Sequence, residues 1–210
     1  MTTTPTRSRA TPPLESGDRL TRLEFHRRYD ACPGIKKAEL IEGVVYVPSP
    51  LRARDHGNPH AHAMGWMAVY AASHPGVSAS DNASVLLDID NEPQPDSCLR
   101  YVEGGSSSLD AEGYIQGPPE FIFEVAASST SIDMHAKKNA YRRNGVQEYA
   151  VWRVLDGAID WWELQEGEYL PLPPDDRGAI HSRVFPGLRL NVAKMLEGDL
   201  AAVLAEQQRA

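Results

Sequence analysis

Cysteine is nearly missing: the 210 residues hold only Cys32 and Cys98. The two are far apart and match no metal-ligand spacing, which excludes a disulfide-rich scaffold and a thiolate metal site; in the cytoplasm, where we expect the chain to work, both stay reduced. Long apolar runs are missing as well, and no stretch approaches the roughly 18 residues that a membrane helix needs, so no membrane partner is expected. Positive charge is scarce. The 21 Lys and Arg residues against 29 Asp and Glu give a net charge of -8 and a pI near 5.4. Loose nucleic-acid binding depends on a basic surface that displaces counterions. Any nucleic-acid function must therefore be confined to a local site. No internal repeat is evident.

What is present suffices for one α/β domain, since 41% of the residues are apolar and a chain of this length can bury a sizeable core. The polar, proline-rich opening MTTTPTRSRATPPLESGD (1–18) reads as a disordered leader, and 19–210 as a single domain. In LTRLEFHRRYDA, Leu20 and Leu23 stand three apart and Phe25 and Tyr29 four apart, which are helical spacings. The segment KKAELIEGVVYVPSP predicts strands over 37–41 and 44–47 around a Glu42-Gly43 turn. Ala61, Met64, Met67, Ala68 and Ala71 share one face of a helix over 58–73, stopped at Pro75-Gly76. Strands follow at 84–89, 95–102 and 120–126, with a Gly/Ser-rich loop before the last. A second helix starts at Ser131 or Asp133 and ends at Gly145. VQEYAVWRV, AIDWWEL and EYLPL read as a meander, RVFPGLRLNV as a strand, and KMLEGDLAAVLAEQQ as a terminal helix.

Within PEFIFEVAASST (119–130) a single carboxylate, Glu124, interrupts an apolar strand. A charge buried there must be paired, metal-bound or protonated. A second acid, Asp96, follows Pro95 at the start of a strand, where a residue without an N–H is tolerated. If the two strands are neighbours, both carboxylates converge, and a hard divalent cation such as magnesium takes oxygen ligands of this kind while keeping several waters. Lys137 lies four residues after Asp133 and four before Tyr141, so the three share a helical face that can turn back over the end of the Glu124 strand. An ammonium there could offset charge that develops in a phosphoryl or carbonyl transition state.

The bland readings are that Asp96 is a turn residue, that Lys137, Lys138, Arg142 and Arg143 form a solvated face or a local phosphate-gripping patch, and that Tyr141, Trp152, Trp161 and Trp162 are packing residues. Among His56, His60 and His62 the four-residue separation of the first two puts imidazoles on one helical face and suggests zinc, but no HExxH pattern or matching carboxylate accompanies them, so zinc is not expected, and His56 is read as near the substrate groove without a place in the site.

Taken together, ELIEG (39–43), QPD (94–96), GYIQGPPEFIFEV (113–125), SST (128–130), the Asp133, Lys137 and Tyr141 spacing, GVQEY (145–149) and FPGLRL (185–190) resemble the Uma-type restriction endonucleases, a branch of the PD-(D/E)XK nuclease superfamily, over nearly the whole chain after residue 20. The resemblance implies a restriction-endonuclease-like mixed β-sheet flanked by helices and a metal-dependent endonuclease, with DNA as its substrate and magnesium or manganese as its ion. It makes Asp96 and Glu124 catalytic metal ligands, brings Glu39 in as a third acid, and gives the catalytic lysine role to Lys137. In most of the superfamily that lysine stands two residues after the second acid, a place held here by Ala126. A homodimer would suit an enzyme that cuts both strands. The alternative is a catalytically inactive nuclease-like fold that serves as a nucleic-acid or protein binding module, which the acidic balance favours.

Overall fold

The computed structural model describes residues 11–48 and 52–208. Helix α1 (Arg22–Asp30) buries Phe25. It precedes the hairpin β1 (Glu39–Ile41) and β2 (Val44–Tyr46), which turns at Glu42 (φ 51°) and Gly43 (φ 74°). Two successive left-handed residues match the twist of an antiparallel pair. Phe25, Leu40 and Val45 form a small core beside this hairpin, together with Leu14 and Ala38.

A wide π-type turn, Ala53–Gly57, leads into α2 (Asn58–Ser73), whose Ala63, Trp66, Met67 and Tyr70 recur at helical spacing and are all buried. The strands that follow are β3 (Val77–Asp81), β4 (Val85–Leu86), β5 (Ser97–Tyr101), β6 (Ser108–Leu109), β7 (Ile115–Gln116) and β8 (Phe121–Ala126). A second π-type turn, Ile132–Lys137, opens α3 (Lys138–Asn144), which Gly145 ends with φ 84°. Strands β9 (Glu148–Arg153), β10 (Ala158–Gln165), β11 (Glu168–Pro171), β12 (Ala179–His181) and β13 (Arg189–Asn191) precede α4 (Val192–Leu196) and α5 (Leu200–Gln207).

The main sheet has the order β11-β10-β9-β8-β5-β3. β8 and β9 run parallel, joined by α3 as the crossover that parallel neighbours require, and the remaining pairs are antiparallel. The sheet is therefore mixed, with helices on both faces. Phe121, Phe123 and Val125 of β8 face α2 and α5, where the Trp66 ring meets Phe121, Phe123 and Trp161 edge-on. Ile122 and Ala126 face α3, with Tyr141, Tyr149 and Val151. Trp152, Trp161 and Trp162 are all buried as packing residues. Among the described residues no helix is long and apolar enough to cross a membrane.

Several sequence expectations shift. The strand expected at 84–89 shrinks to Val85–Leu86 and leaves the main sheet for a small one with β7 and β6, because Asp88 turns the chain by accepting the Asp90 N–H and Asn91 side-chain bonds. The edge of the main sheet is taken instead by β3, whose sequence VSASD carries little apolar signal. The terminal helix is two helices, broken at Gly198 (φ 77°) and restarted by Asp199, whose carboxylate accepts the Ala202 N–H. Of the strand expected at 183–192 only Arg189–Asn191 is extended, paired with β12. Residues 1–10 of the expected leader lie outside the described residues. Leu14 is buried and the Gly17 N–H donates to Val45 O at 2.8 Å, so the chain has joined the fold before Asp18.

Candidate active site

Strand register decides what Glu124 meets. β5 runs antiparallel to β8 with Ser97 opposite Phe123, so continuing that register sets Asp96 opposite Glu124. The period-2 alternation of β8 sends Phe123 and Val125 to the α2 face and Glu124 to the α3 face. The two acids interlock through the backbone: the Asp96 N–H donates to Glu124 Oε2 at 3.2 Å, and the Val125 N–H donates to Asp96 Oδ2 at 2.8 Å.

Lys137, on the turn that opens α3, places its Nζ 2.9 Å from Glu39 Oε1, 3.1 Å from Glu124 Oε1 and 3.4 Å from Asp133 Oδ1. Tyr141, one turn further on, donates its hydroxyl to Glu124 Oε1 at 2.9 Å. Glu39 Oε1 also accepts the Gln94 N–H, which ties β1 to the segment just before Asp96. Asp96, Glu124, Lys137 and Glu39 are thus brought together from four separate parts of the chain. They line a cavity of about 280 Å³ whose other walls include Tyr46, Ser128, Ser129 and Ile132.

On the Asp96 side the sequence did not single out Lys37, and it considered His56 only beside His60 and His62. Lys37 Nζ lies 3.2 Å from Asp96 Oδ1 and 2.8 Å from Asn82 Oδ1. His56 Nδ1 is 2.9 Å from Val125 O, and its Nε2, which has no hydrogen-bond partner, faces Asp96 Oδ1 at 3.4 Å. His60 bonds Asp96 O and Asp81 rather than joining a zinc set, and among the described residues no three His, Cys, Asp or Glu side chains converge in metal-holding geometry. The ammonium of Lys137 stands among the acids. The basic cluster on α3 is committed within the fold: Arg142 bonds Gly167 O, Arg143 pairs with Glu42, and Lys138 lies over the Trp162 ring.

Burial pushes the Glu124 carboxyl up to about 8, a rise opposed by the Lys137 charge and reinforced by Asp96, Asp133 and Glu39. Burial also raises Asp133, against the Lys137 charge. At Asp96 burial works in the same direction, but His56 and Lys37 more than reverse it and hold the group well below the usual carboxylate range. Burial disfavours the Lys137 ammonium, yet Glu124, Glu39, Asp133 and Asp96 outweigh that and keep it protonated far above its ordinary value. Four buried carboxylates thus face two lysines, and the shortfall of positive charge appears as raised carboxyl groups. Carboxylate oxygens with an excess of negative charge are the donor chemistry that a hard divalent cation takes.

A mixed sheet with this strand order, acids at the adjoining ends of two central strands and a lysine folded over them defines a restriction-endonuclease-like nuclease fold. A solved structure described as "a putative nuclease belonging to DUF820" from Anabaena variabilis ATCC 29413 shares it, with a TM-score of 0.58 at 14% identity, over 77% of this chain and 90% of that one. The model of the family Uma2, described as "Putative restriction endonuclease", matches residues 23–193, and the chain belongs to that family. No curated protein matches it. Family and fold together point to a nuclease.

Proposed function

We propose that the chain is a divalent-ion-dependent endonuclease that hydrolyses phosphodiester bonds in DNA, with magnesium or manganese held by Asp96 and Glu124 and flanked by Glu39. The observation that carries this is the buried set of four carboxylates around two lysines in one cavity, on a chain whose family is described as restriction endonucleases. DNA is the substrate that description implies. The two free cysteines, Cys32 and Cys98, accord with a cytoplasmic location.

Bound at this site, the ion would lower the pKa of a water and offset charge on the phosphate oxygens. The chain supplies the rest. Asp96 is held ionised by Lys37 and His56, and its fixed Oδ2 leaves Oδ1 turned to the cavity side. Tyr141 fixes the rotamer of Glu124 from behind. Asp133 and Glu39 hold Lys137 protonated at the same cavity, where its charge offsets the negative charge that builds up on a phosphate. The shallow exposure of these groups keeps the field unscreened.

Supercoiled plasmid, single-stranded DNA and RNA incubated with magnesium, manganese or chelator test the proposal. Nicking and linearisation of plasmid that need the ion support it. Ion-independent binding without cleavage would move the chain to the class of binding modules.

A further inference from the structure

We infer that Lys37 is a second phosphate-facing cation of this site, opposite Lys137, and that it takes the place of a second divalent ion, so that the site holds one ion per chain. This rests on the nuclease chemistry proposed above and deepens it. Lys37 precedes β1 in a stretch outside any strand, and its aliphatic stem carries the ammonium to the Asp96 side of the cavity. There Asn82 Oδ1 at 2.8 Å and Asp96 Oδ1 at 3.2 Å fix it. An ammonium has three N–H donors. Two are engaged, which leaves one for an anion entering the cavity that Lys37 lines.

Asp96 limits the number of ions. Its Oδ2 is committed to the Val125 N–H, and its Oδ1 already stands between Lys37 at 3.2 Å and His56 Nε2 at 3.4 Å. Two-ion sites place their metals roughly 3.5–4 Å apart, and a second ion beside Asp96 Oδ1 would meet the Lys37 ammonium already there. Asp96 has one crowded oxygen to offer, enough for one ion shared with Glu124 and too little for two. Four carboxylates (Glu39, Asp96, Glu124 and Asp133) share the cavity with Lys37, Lys137 and, beside Asp96, His56, so acids outnumber cations there. With the second metal excluded, the charge of a leaving or non-bridging phosphate oxygen on the Asp96 side falls to Lys37.

Calorimetric titration of the whole chain with manganese, followed by titration with deoxythymidine 5′-monophosphate in calcium, tests this. Wild type should take one manganese per chain. Lys37→Gln keeps a hydrogen-bonding head for Asn82 and removes the charge. It should bind manganese at least as tightly, since a competing cation has left Asp96, while mononucleotide affinity drops about tenfold and plasmid turnover falls on the order of a hundredfold. Lys37→Arg should restore most of the mononucleotide affinity, a rescue that a merely structural lysine would not show. Two manganese ions per wild-type chain, or unchanged nucleotide binding and turnover in Lys37→Gln, would overturn the inference and leave the nuclease proposal standing. A wild-type chain that binds no manganese would overturn both.

Discussion

Glu124 is a carboxylate 2% exposed in the middle of a buried strand, and its cost without a counterion is what makes it informative. Replacing it with Gln keeps its shape and removes an acid that burial already biases to its neutral form, so the variant in chelator should be as stable as wild type to within about 1 kcal/mol, or more stable. What it should lose is the response to ions. At a manganese concentration a hundredfold above its dissociation constant, wild type should gain about 2.7 kcal/mol, a rise of roughly 5–10 °C in thermal midpoint. Glu124→Gln should show little of it, and an equal rise in both would place the ion elsewhere. Lys137 predicts the opposite pattern. Lys137→Met strips the shared counter-charge from Glu39, Glu124 and Asp133 and should cost about 3–5 kcal/mol in denaturant unfolding; a loss under about 1 kcal/mol would show that the ammonium does not hold this cluster together. Glu124 and Asp96 were legible in the sequence because an acid alone among apolar strand residues, and one after a strand-opening proline, break the local pattern. Lys37 breaks none, and the spacing of His56 to His60 points to no acid. Their meeting with Asp96 arises only when loops 59 and 40 residues away in the chain fold onto one strand end.

At the scale of elements, the best-read segments were β8, α3 with its Gly145 stop, and the β9-β10-β11 meander, while α2 was read in its bounds but not in its face: of the expected Ala61, Met64, Met67, Ala68 and Ala71 only Met67 is fully buried, and Ala63, Trp66 and Tyr70 join it instead. β3, β4 and β12 were misread or missed because they are two to five residues long and half-polar, and neighbours fix them more than composition does. Gly145 ends the helix that carries the Lys137 turn in a left-handed conformation, and a Cβ there would meet no neighbour within 4 Å. The cost of Gly145→Ala is therefore backbone strain alone, about 1–2 kcal/mol by denaturant unfolding; no loss would mean that the helix end relaxes freely. Glu148, the first residue of β9, clasps the turn before β13 by accepting the Ser182 hydroxyl and the Arg183 N–H. Burial raises its pKa despite these bonds. A raised acid holds its proton in the folded chain after the unfolded chain has released it, so its contribution is full at low pH and is lost as pH climbs from the ordinary carboxylate value through the raised one. Glu148→Gln does not titrate, so its thermal midpoint relative to wild type should rise with pH across that window. A flat difference would contradict the shift.

For the molecule as a whole, acidity and nucleic-acid chemistry are compatible only if positive charge is local. The net charge of -8 gives no general attraction to a phosphate backbone. The α3 arginines are engaged with Glu42 and Gly167, which leaves Lys37, Lys137 and His56 as the basic side chains that line the cavity. The fold class was within reach of the sequence because family pattern and strand chemistry agreed, and so was the meeting of Asp96, Glu124, Glu39 and Lys137; Asp133, which the sequence placed only on the helical face of Lys137, joins them as a fourth acid. The N-terminal packing of Leu14 was not, since a lone leucine in a proline-rich stretch carries no period. The most direct measurement is cleavage of supercoiled plasmid by the whole chain with magnesium, manganese or chelator, beside Glu124→Gln and Lys137→Met whose folding is checked by circular dichroism. Ion-dependent nicking and linearisation by wild type, with the rate down at least a hundredfold in both folded variants, is the predicted result. Equal cleavage by wild type and Glu124→Gln, or cleavage that persists in chelator, would contradict it.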